Sequence, residues 1–263
     1  MSDENGAELV VDRVTKSFGG LRAVSDVSFT VPARSIFGLI GPNGAGKTTL
    51  FNLITGVTAP DSGSIRFGDV DLARLAPAAI ASSGVARTFQ NVRLFGELTV
   101  LENLLVAGGA RGAGRGHARL LSALFRTARY EDGERAARSR AMELLRAFHL
   151  DGHAEARATS LAYGHQRRLE IARAMMLEPK LLLLDEPAAG LSTQEADDLE
   201  HQIRALRDRF ALAIVLVEHN VRLVMRACER VHVLDHGETI ASGAPAEVQR
   251  DARVVSAYLG DGA

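Results

Sequence analysis

The stretch GPNGAGKTT at 41–49 constrains what this chain can fold into more than any other. It follows a short apolar run, SIFGLI at 35–40, and opens a helix-like run, KTTLFNLITG at 47–56. Closely spaced glycines let a backbone curl until successive N–H groups face inward, and the helix start behind them adds partial positive charge. The pattern G-x-x-x-x-G-K-[ST] is matched in full, between a strand and a helix as its chemistry requires, and a chance match is on the order of 1%. Gly41, Pro42, Asn43, Gly44, Ala45, Gly46, Lys47, Thr48 and Thr49 are therefore the candidate phosphate-binding residues. Lys47 is expected to reach the β- and γ-phosphates of a nucleotide, and the Thr48 hydroxyl to ligate Mg²⁺. Lysine is scarce here, with Lys16, Lys47 and Lys180 as the full set, so composition alone does not put one in the motif.

LLLLDEP at 181–187 supplies a second half. A carboxylate ending a buried apolar strand is unfavourable unless it meets a cation. Asp185 is expected to hold Mg²⁺, directly or through water, and Glu186 to accept a proton from an attacking water. A lone aspartate there would read as a helix N-cap, which leaves the second carboxylate unexplained.

The remaining pattern sets the fold class. LVVDRVTKSF and AVSDVSFTV read as early strands, and DSGSIRFGDVDL as a hairpin-like return. From about 78 to 160 the character turns helical, with Met142, Leu145 and Phe148 expected on one face. Beyond 160, helices lined by Leu169, Ala172 and Met176 and by Ala196, Leu199, Ile203 and Leu206 alternate with the strands KLLLLDEP, FALAIVLVEH and RVHVLDHGE. That alternation predicts an α/β fold with a mainly parallel sheet. The 263 residues, 46% apolar, suffice for one large domain.

Charge and cysteine exclude several classes. A net charge of −1 gives no pull toward nucleic acid or anionic lipid. Cys228, the sole cysteine, fits a reducing compartment. The start MSDENGAELVVD has no signal-peptide pattern, and the longest apolar runs, 181–184 and 210–217, are too short to span a membrane. Gly112, Gly114 and Gly116 lack a preceding strand and read as loop rather than dinucleotide fingerprint. The arginines from Arg111 to Arg140 are interleaved with Glu131, Asp132 and Glu134 and read as a solvated face.

Five motifs in order, GPNGAGKTT, Gln90 in RTFQN, SLAYGHQRRLEIARAM, LLLLDEP and His219 in VEHN, resemble the ATP-binding subunits of ABC transporters. LAYGHQRRLEIARAM, LLLLDEPAAGLS, the ending VVSAYLG and the long stretch near 107–135 resemble the branch that powers branched-chain amino-acid importers. The resemblance implies a P-loop NTPase (RecA-like) core spanning 1–90 and 161–263, an N-terminal antiparallel β region, and a helical insert over about 91–160. It implies ATP and Mg²⁺, a second ABC ATPase subunit, identical or paralogous, integral membrane permeases, indirectly a solute-binding protein, and a cytoplasmic place on the inner membrane face. No nucleic-acid partner is expected.

The same resemblance assigns residues. Gln90 would contact Mg²⁺ and the lytic water, His219 the γ-phosphate, and Phe18 the adenine ring. Ser160, Ala162, Gly164 and His165 would cap ATP held by the partner subunit, through the start of the following helix. The segment departs from the common Leu-Ser-Gly-Gly-Gln form: Ala162 lacks the hydroxyl, leaving backbone donors and Ser160. His165 reads either as a γ-phosphate donor or as a solvated first-turn residue. Ser192 stands where many relatives carry aspartate, so its role is open. Two other classes remain: a soluble ABC ATPase acting on nucleic acid or ribosomes, for which the fused cassettes or coiled-coil inserts are missing, and a P-loop kinase or GTPase, which leaves the 160–175 segment and His219 without a purpose. An ABC importer of another small organic solute is the nearest alternative.

Overall fold

The computed structural model describes residues 7–90, 92–110 and 128–259. Gly112, Gly114, Gly116 and the arginines between 111 and 127 lie outside the described residues, as do residues 1–6 and Gly260. Two compact units divide the chain: Met1–Gln90 with Lys180–Ala263, and Asn91–Pro179.

The first unit holds two sheets. β1 (Leu9–Phe18), β2 (Leu21–Val31), β4 (Ser62–Phe67) and β5 (Val70–Asp71) form an antiparallel sheet in the order β2-β1-β4-β5. The second sheet runs β10-β9-β3-β8-β7-β6, from β3 (Ile36–Ile40), β6 (Val85–Arg87), β7 (Leu181–Asp185), β8 (Ala213–Val217), β9 (Arg230–Asp235) and β10 (Glu238–Gly243). All its pairings are parallel except β9 with β10.

Sequence dictates this arrangement. IFGLI, LLLLD and AIVLV are buried at every position, as strands of a parallel sheet must be. Their alternate side chains, including Phe37, Leu39, Leu181, Leu183, Val215 and Val217, join one core. Val11, Val24 and Phe29 enter it from the antiparallel sheet, and Leu50 and Phe51 from α1 (Lys47–Ile54). Helix α2 (Pro77–Ser82) opens on a proline, whose fixed φ suits a first turn.

Two expected strands change at their ends. FALAIVLVEH does not begin as strand: Phe210 closes helix α6 (Thr193–Phe210), whose C-cap Ala211 turns left-handed at φ 53°, and β8 starts at Ala213. RVHVLDHGE is not one strand but a hairpin, with β9 ending at Asp235 and His236 and Gly237 at φ 47° and 82° before β10. Positive φ at both central residues matches the right-handed twist of the flanking strands. Helices α7 (Val221–Ala227), α8 (Pro245–Val248) and α9 (Ala252–Leu259) complete this unit.

The second unit is helical: α3 (Val100–Ala110), α4 (Ala128–Ala147) and α5 (Tyr163–Met175), with 3₁₀ turns at Asp151–His153 and Ala158–Ser160. In α4 and the residue after it, Ala141, Leu144, Leu145 and Phe148 are buried while Met142 is half-exposed. The core-facing stripe thus runs i, i+3, i+4, i+7 from Ala141 and not through Met142, which sits a step around the helix. Helix α5 packs against α3 and α4, so this compact unit continues to Pro179, past the 160 boundary expected for the insert.

Candidate active site

Sequence-singled residues gather at the carboxyl ends of four adjacent parallel strands, the edge where open α/β sheets bind ligands. The 41–49 loop follows β3, Asp185 and Glu186 end and follow β7, His219 follows β8, and Gln90 follows β6.

The loop is shaped by its glycines. Gly41, Gly44 and Gly46 have φ of 154°, 80° and 99°. A Cβ on Gly41 would lie 2.1 Å from the Leu234 carbonyl oxygen, and one on Gly46 2.4 Å from that of Ala23. Ala45 is buried and its N–H donates to the Pro42 carbonyl at 3.2 Å, while Asn43, Gly44 and Thr48 face solvent and Thr49 is half-buried. Helix α1 starts on Gly46 with no side-chain cap and no acid in its first turn, which leaves its first N–H groups to an anion.

Lys47 is buried, and its Nζ donates to the carbonyls of Gly41 at 2.6 Å and Pro42 at 2.8 Å. Burial lowers its pKa, and the charges of Glu186 and Asp185 act against that shift. A desolvated ammonium satisfied mainly by neutral oxygens is a strong site for phosphate.

Glu186 adopts φ 48°, a left-handed conformation that costs a non-glycine residue about 1 kcal/mol. Its N–H donates to the Val217 carbonyl at 2.9 Å, tying the bend to β8. Gln90 Nε2 donates to Glu186 Oε2 at 3.0 Å, and His219 Nε2 lies 2.8 Å from Oε1. Asp185 is buried and pairs with Arg87 at 2.8 Å.

Arg87 and Glu218 contact this cluster and the loop behind it, and sequence reasoning missed both. Glu218 is buried, accepts the Ala188 N–H at 2.6 Å, and so holds the loop after Glu186. Burial raises its pKa, and the nearby Glu186 charge adds to the shift. The argument applied to Asp185, an acid at the end of a buried strand, would have found it. Arg87 lies three residues before Gln90, and nothing local marks it.

The proposed cation ligands Thr48, Gln90 and Asp185 present a hydroxyl, an amide and one carboxylate. Among the described residues no group of three His, Cys, Asp or Glu side chains could cage a metal. An all-oxygen set with a single carboxylate fits Mg²⁺, which keeps waters and substrate phosphates in its shell.

The other predicted residues lie elsewhere. Phe18 is 51% exposed at the end of β1, with Lys16 Nζ 5.6 Å from its ring centre and that ammonium held by Asp61 at 2.7 Å. In the second unit, α5 begins at Tyr163 on the N-cap Ala162, again with no side-chain cap and no acid in the first turn. Ala162 is exposed and Gly164 buried. Ser160 Oγ donates to the Arg157 carbonyl at 2.7 Å, so its proton is committed within its own turn. The half-buried His165 ring stands 5.3 Å from that of His153. Ser192 is the N-cap of α6 in a reciprocal capping box with Glu195. Cys228 is buried, and burial pushes its thiol pKa up. Among the described residues no helix is long and apolar enough to cross a membrane.

Comparison with known proteins identifies the family. The ABC transporter family model matches residues 24–189, and a branched-chain amino acid ATP-binding cassette transporter model matches residues 238–263. The chain is 44% identical to the high-affinity branched-chain amino acid transport ATP-binding proteins LivG of Salmonella typhimurium and BraF of Pseudomonas aeruginosa, covering 96% of this chain and 98% of each relative. It also resembles the crystal structure of the ADP conformation of MJ1267, an ATP-binding cassette of an ABC transporter. That likeness has a TM-score of 0.81 at 31% identity, over 97% of this chain and 99% of the other. With a phosphate loop, paired carboxylates and a matching cassette along nearly its whole length, the chain belongs to the ABC transporter family as an ATP-binding subunit.

Proposed function

We propose that this chain hydrolyses ATP to power a membrane importer of branched-chain amino acids. The observation that carries the catalytic reading is the Glu186 carboxylate, contacted at one oxygen by Gln90 and at the other by His219. The phosphates of ATP lie against the free N–H groups of the 41–49 loop, and Phe18 stacks on the adenine. Lys47 exchanges its neutral carbonyl partners for phosphate oxygens. Glu186 accepts a proton from the attacking water, and Gln90 and His219 fix its orientation so that the water meets the γ-phosphate in line. Thr48, Asp185 and Gln90 would hold Mg²⁺, which when bound neutralises charge on the phosphate oxygens.

The uncapped start of α5 supports a second cassette in the mechanism. Ser160, Ala162, Gly164 and His165 of one subunit close over the nucleotide of its partner, identical or paralogous, and two such sites form about a two-fold axis. Preference for ATP over ADP in the closed pair is what lets hydrolysis drive a motion. Integral permeases receive that motion at the inner face of the membrane, where this subunit sits as a peripheral cytoplasmic protein. The cargo reading rests on the branched-chain family match at 238–263 and on the 44% identity to LivG and BraF.

Reconstitution in vesicles with cognate permeases and solute-binding protein tests the reading. Leucine, isoleucine or valine raises ATP turnover if the cargo is right, whereas stimulation by another organic solute replaces the cargo and leaves the ATPase. Turnover indifferent to protein concentration and to substitution of Gly164 would remove the two-cassette site.

A further inference from the structure

We infer that Arg87 is a positioning residue for the cation at the nucleotide site, acting through Asp185. The inference rests on the reading of Asp185 as a metal ligand, and goes beyond it by naming what holds that ligand in place.

The guanidinium is a buried junction. Nη2 donates to Asp185 Oδ2 at 2.8 Å, with the two side chains 8% and 4% exposed. Nη1 donates to Asn52 Oδ1 at 2.7 Å and reaches Thr55 Oγ1 at 3.4 Å, the first on α1 behind the phosphate loop and the second its C-cap. The rings of Phe51 and Phe89 each lie 5.4 Å from its central carbon, a cation–π setting that suits a weakly hydrated planar cation. The Asp185 N–H donates to Thr88 Oγ1 at 3.3 Å, so Arg87 and its neighbour grip the aspartate at side chain and backbone.

This grip divides the carboxylate. Oδ2 belongs to Arg87, and Oδ1 takes no hydrogen bond or ion pair among the described residues. A carboxylate anchored at one oxygen has one orientation, and the other oxygen is presented to a cation without rotational search. Through Asn52 and Thr55 the same guanidinium links that orientation to the helix carrying Lys47 and Thr48.

The experiment measures binding of a β,γ-imido ATP analogue to the full chain, in Mg²⁺ and in excess EDTA. The ratio of the two affinities is the metal-dependent gain, and by linkage it equals the gain in metal affinity conferred by nucleotide. Asp185→Asn should abolish the gain. Arg87→Gln should lower it about tenfold while leaving binding in EDTA near the parental value, as removal of an outer-shell partner does. Arg87→Lys keeps the charge but cannot bridge Asp185 and Asn52 together, and should also lower the gain. If Asp185→Asn loses the gain and both Arg87 variants keep it, Arg87 is only structural and the inference is overturned. If Asp185→Asn keeps the gain, the metal reading fails and takes the inference with it. If the Arg87 variants no longer melt cooperatively, Asn52→Ala decides: a reduced gain supports the positioning role, and an unchanged gain overturns it.

Discussion

His219 Nε2 and Glu186 Oε1 meet at 2.8 Å although 33 residues separate them in sequence. The contact joins the ends of β7 and β8, and Gln90 from the end of β6 completes it on the opposite carboxylate oxygen. The two strands that flank β7 thus each aim one side chain at a single carboxylate, which the proposed base needs if its lone pair is to point at one water.

Glu186→Gln keeps the shape and removes the proton acceptor. Turnover should fall by about 10²–10⁴ while nucleotide affinity stays at the parental level, the signature of an interaction made only in the transition state. Steady-state hydrolysis and equilibrium nucleotide binding check this together. A variant that hydrolyses ATP near the parental rate removes Glu186 from the role of base.

Two glycines in the same loop should behave differently. At Gly41 a Cβ meets the Leu234 backbone at 2.1 Å, whereas at Gly44 nothing lies within 4 Å and only the φ of 80° resists a side chain. Gly44→Ala should therefore lose about 1–2 kcal/mol from backbone strain. Gly41→Ala must displace β9 or the loop and should lose more, about 3 kcal/mol or beyond. Denaturant unfolding distinguishes them, and equal losses would mean that the Gly41 contact relaxes freely.

Legibility in the sequence follows the range of the interaction. The phosphate loop was readable because its glycines, lysine and helix start lie within nine consecutive positions. Asp185 and Glu186 were readable because acids after LLLL contradict burial unless something compensates. Arg87 was not, since its partner Asp185 is 98 positions away, and Glu218 serves an amide 30 positions away. Local pattern also misled at Met142: in ERAARSRAMELLRAFHL two overlapping stripes fit a helix, and only packing selects Ala141, Leu144, Leu145 and Phe148. The second strand of the β9–β10 hairpin, ETIASG, has few β-branched residues and reads weakly.

Ser192, whose role the sequence left open, closes a capping box: its Oγ accepts the Glu195 N–H at 3.3 Å, and the Glu195 carboxylate takes the Ser192 N–H at 2.9 Å. Ser192→Ala should destabilise the protein by about 1 kcal/mol, and Ser192→Asp, whose side chain also caps, by much less. Chemical denaturation of the two variants reads this directly. If alanine and aspartate are equivalent, the cap adds nothing to the stability of α6.

His232 makes the fold sensitive to acid in one definable window. It is fully buried in β9, its Nε2 bonds Thr239 Oγ1 at 3.0 Å, and its ring lies 5.0 Å from Phe29 and 6.3 Å from Phe37. Burial lowers its pKa from 6.5 to about 4. Between those values the unfolded chain binds a proton that the folded chain refuses, so stability present above pH 6.5 is lost as pH falls toward 4 and the loss levels off below it. At 1.36 kcal/mol per pH unit the full effect is about 3 kcal/mol. His232→Phe keeps the ring stack and cannot titrate, so its unfolding free energy should fall less steeply than the parent's across that window. Other groups titrate alike in both proteins, and the difference between the two curves isolates the imidazole. Parallel curves would mean that His232 accepts its proton inside the fold, and that the pocket of Phe29 and Phe37 opens to water well before the protein unfolds.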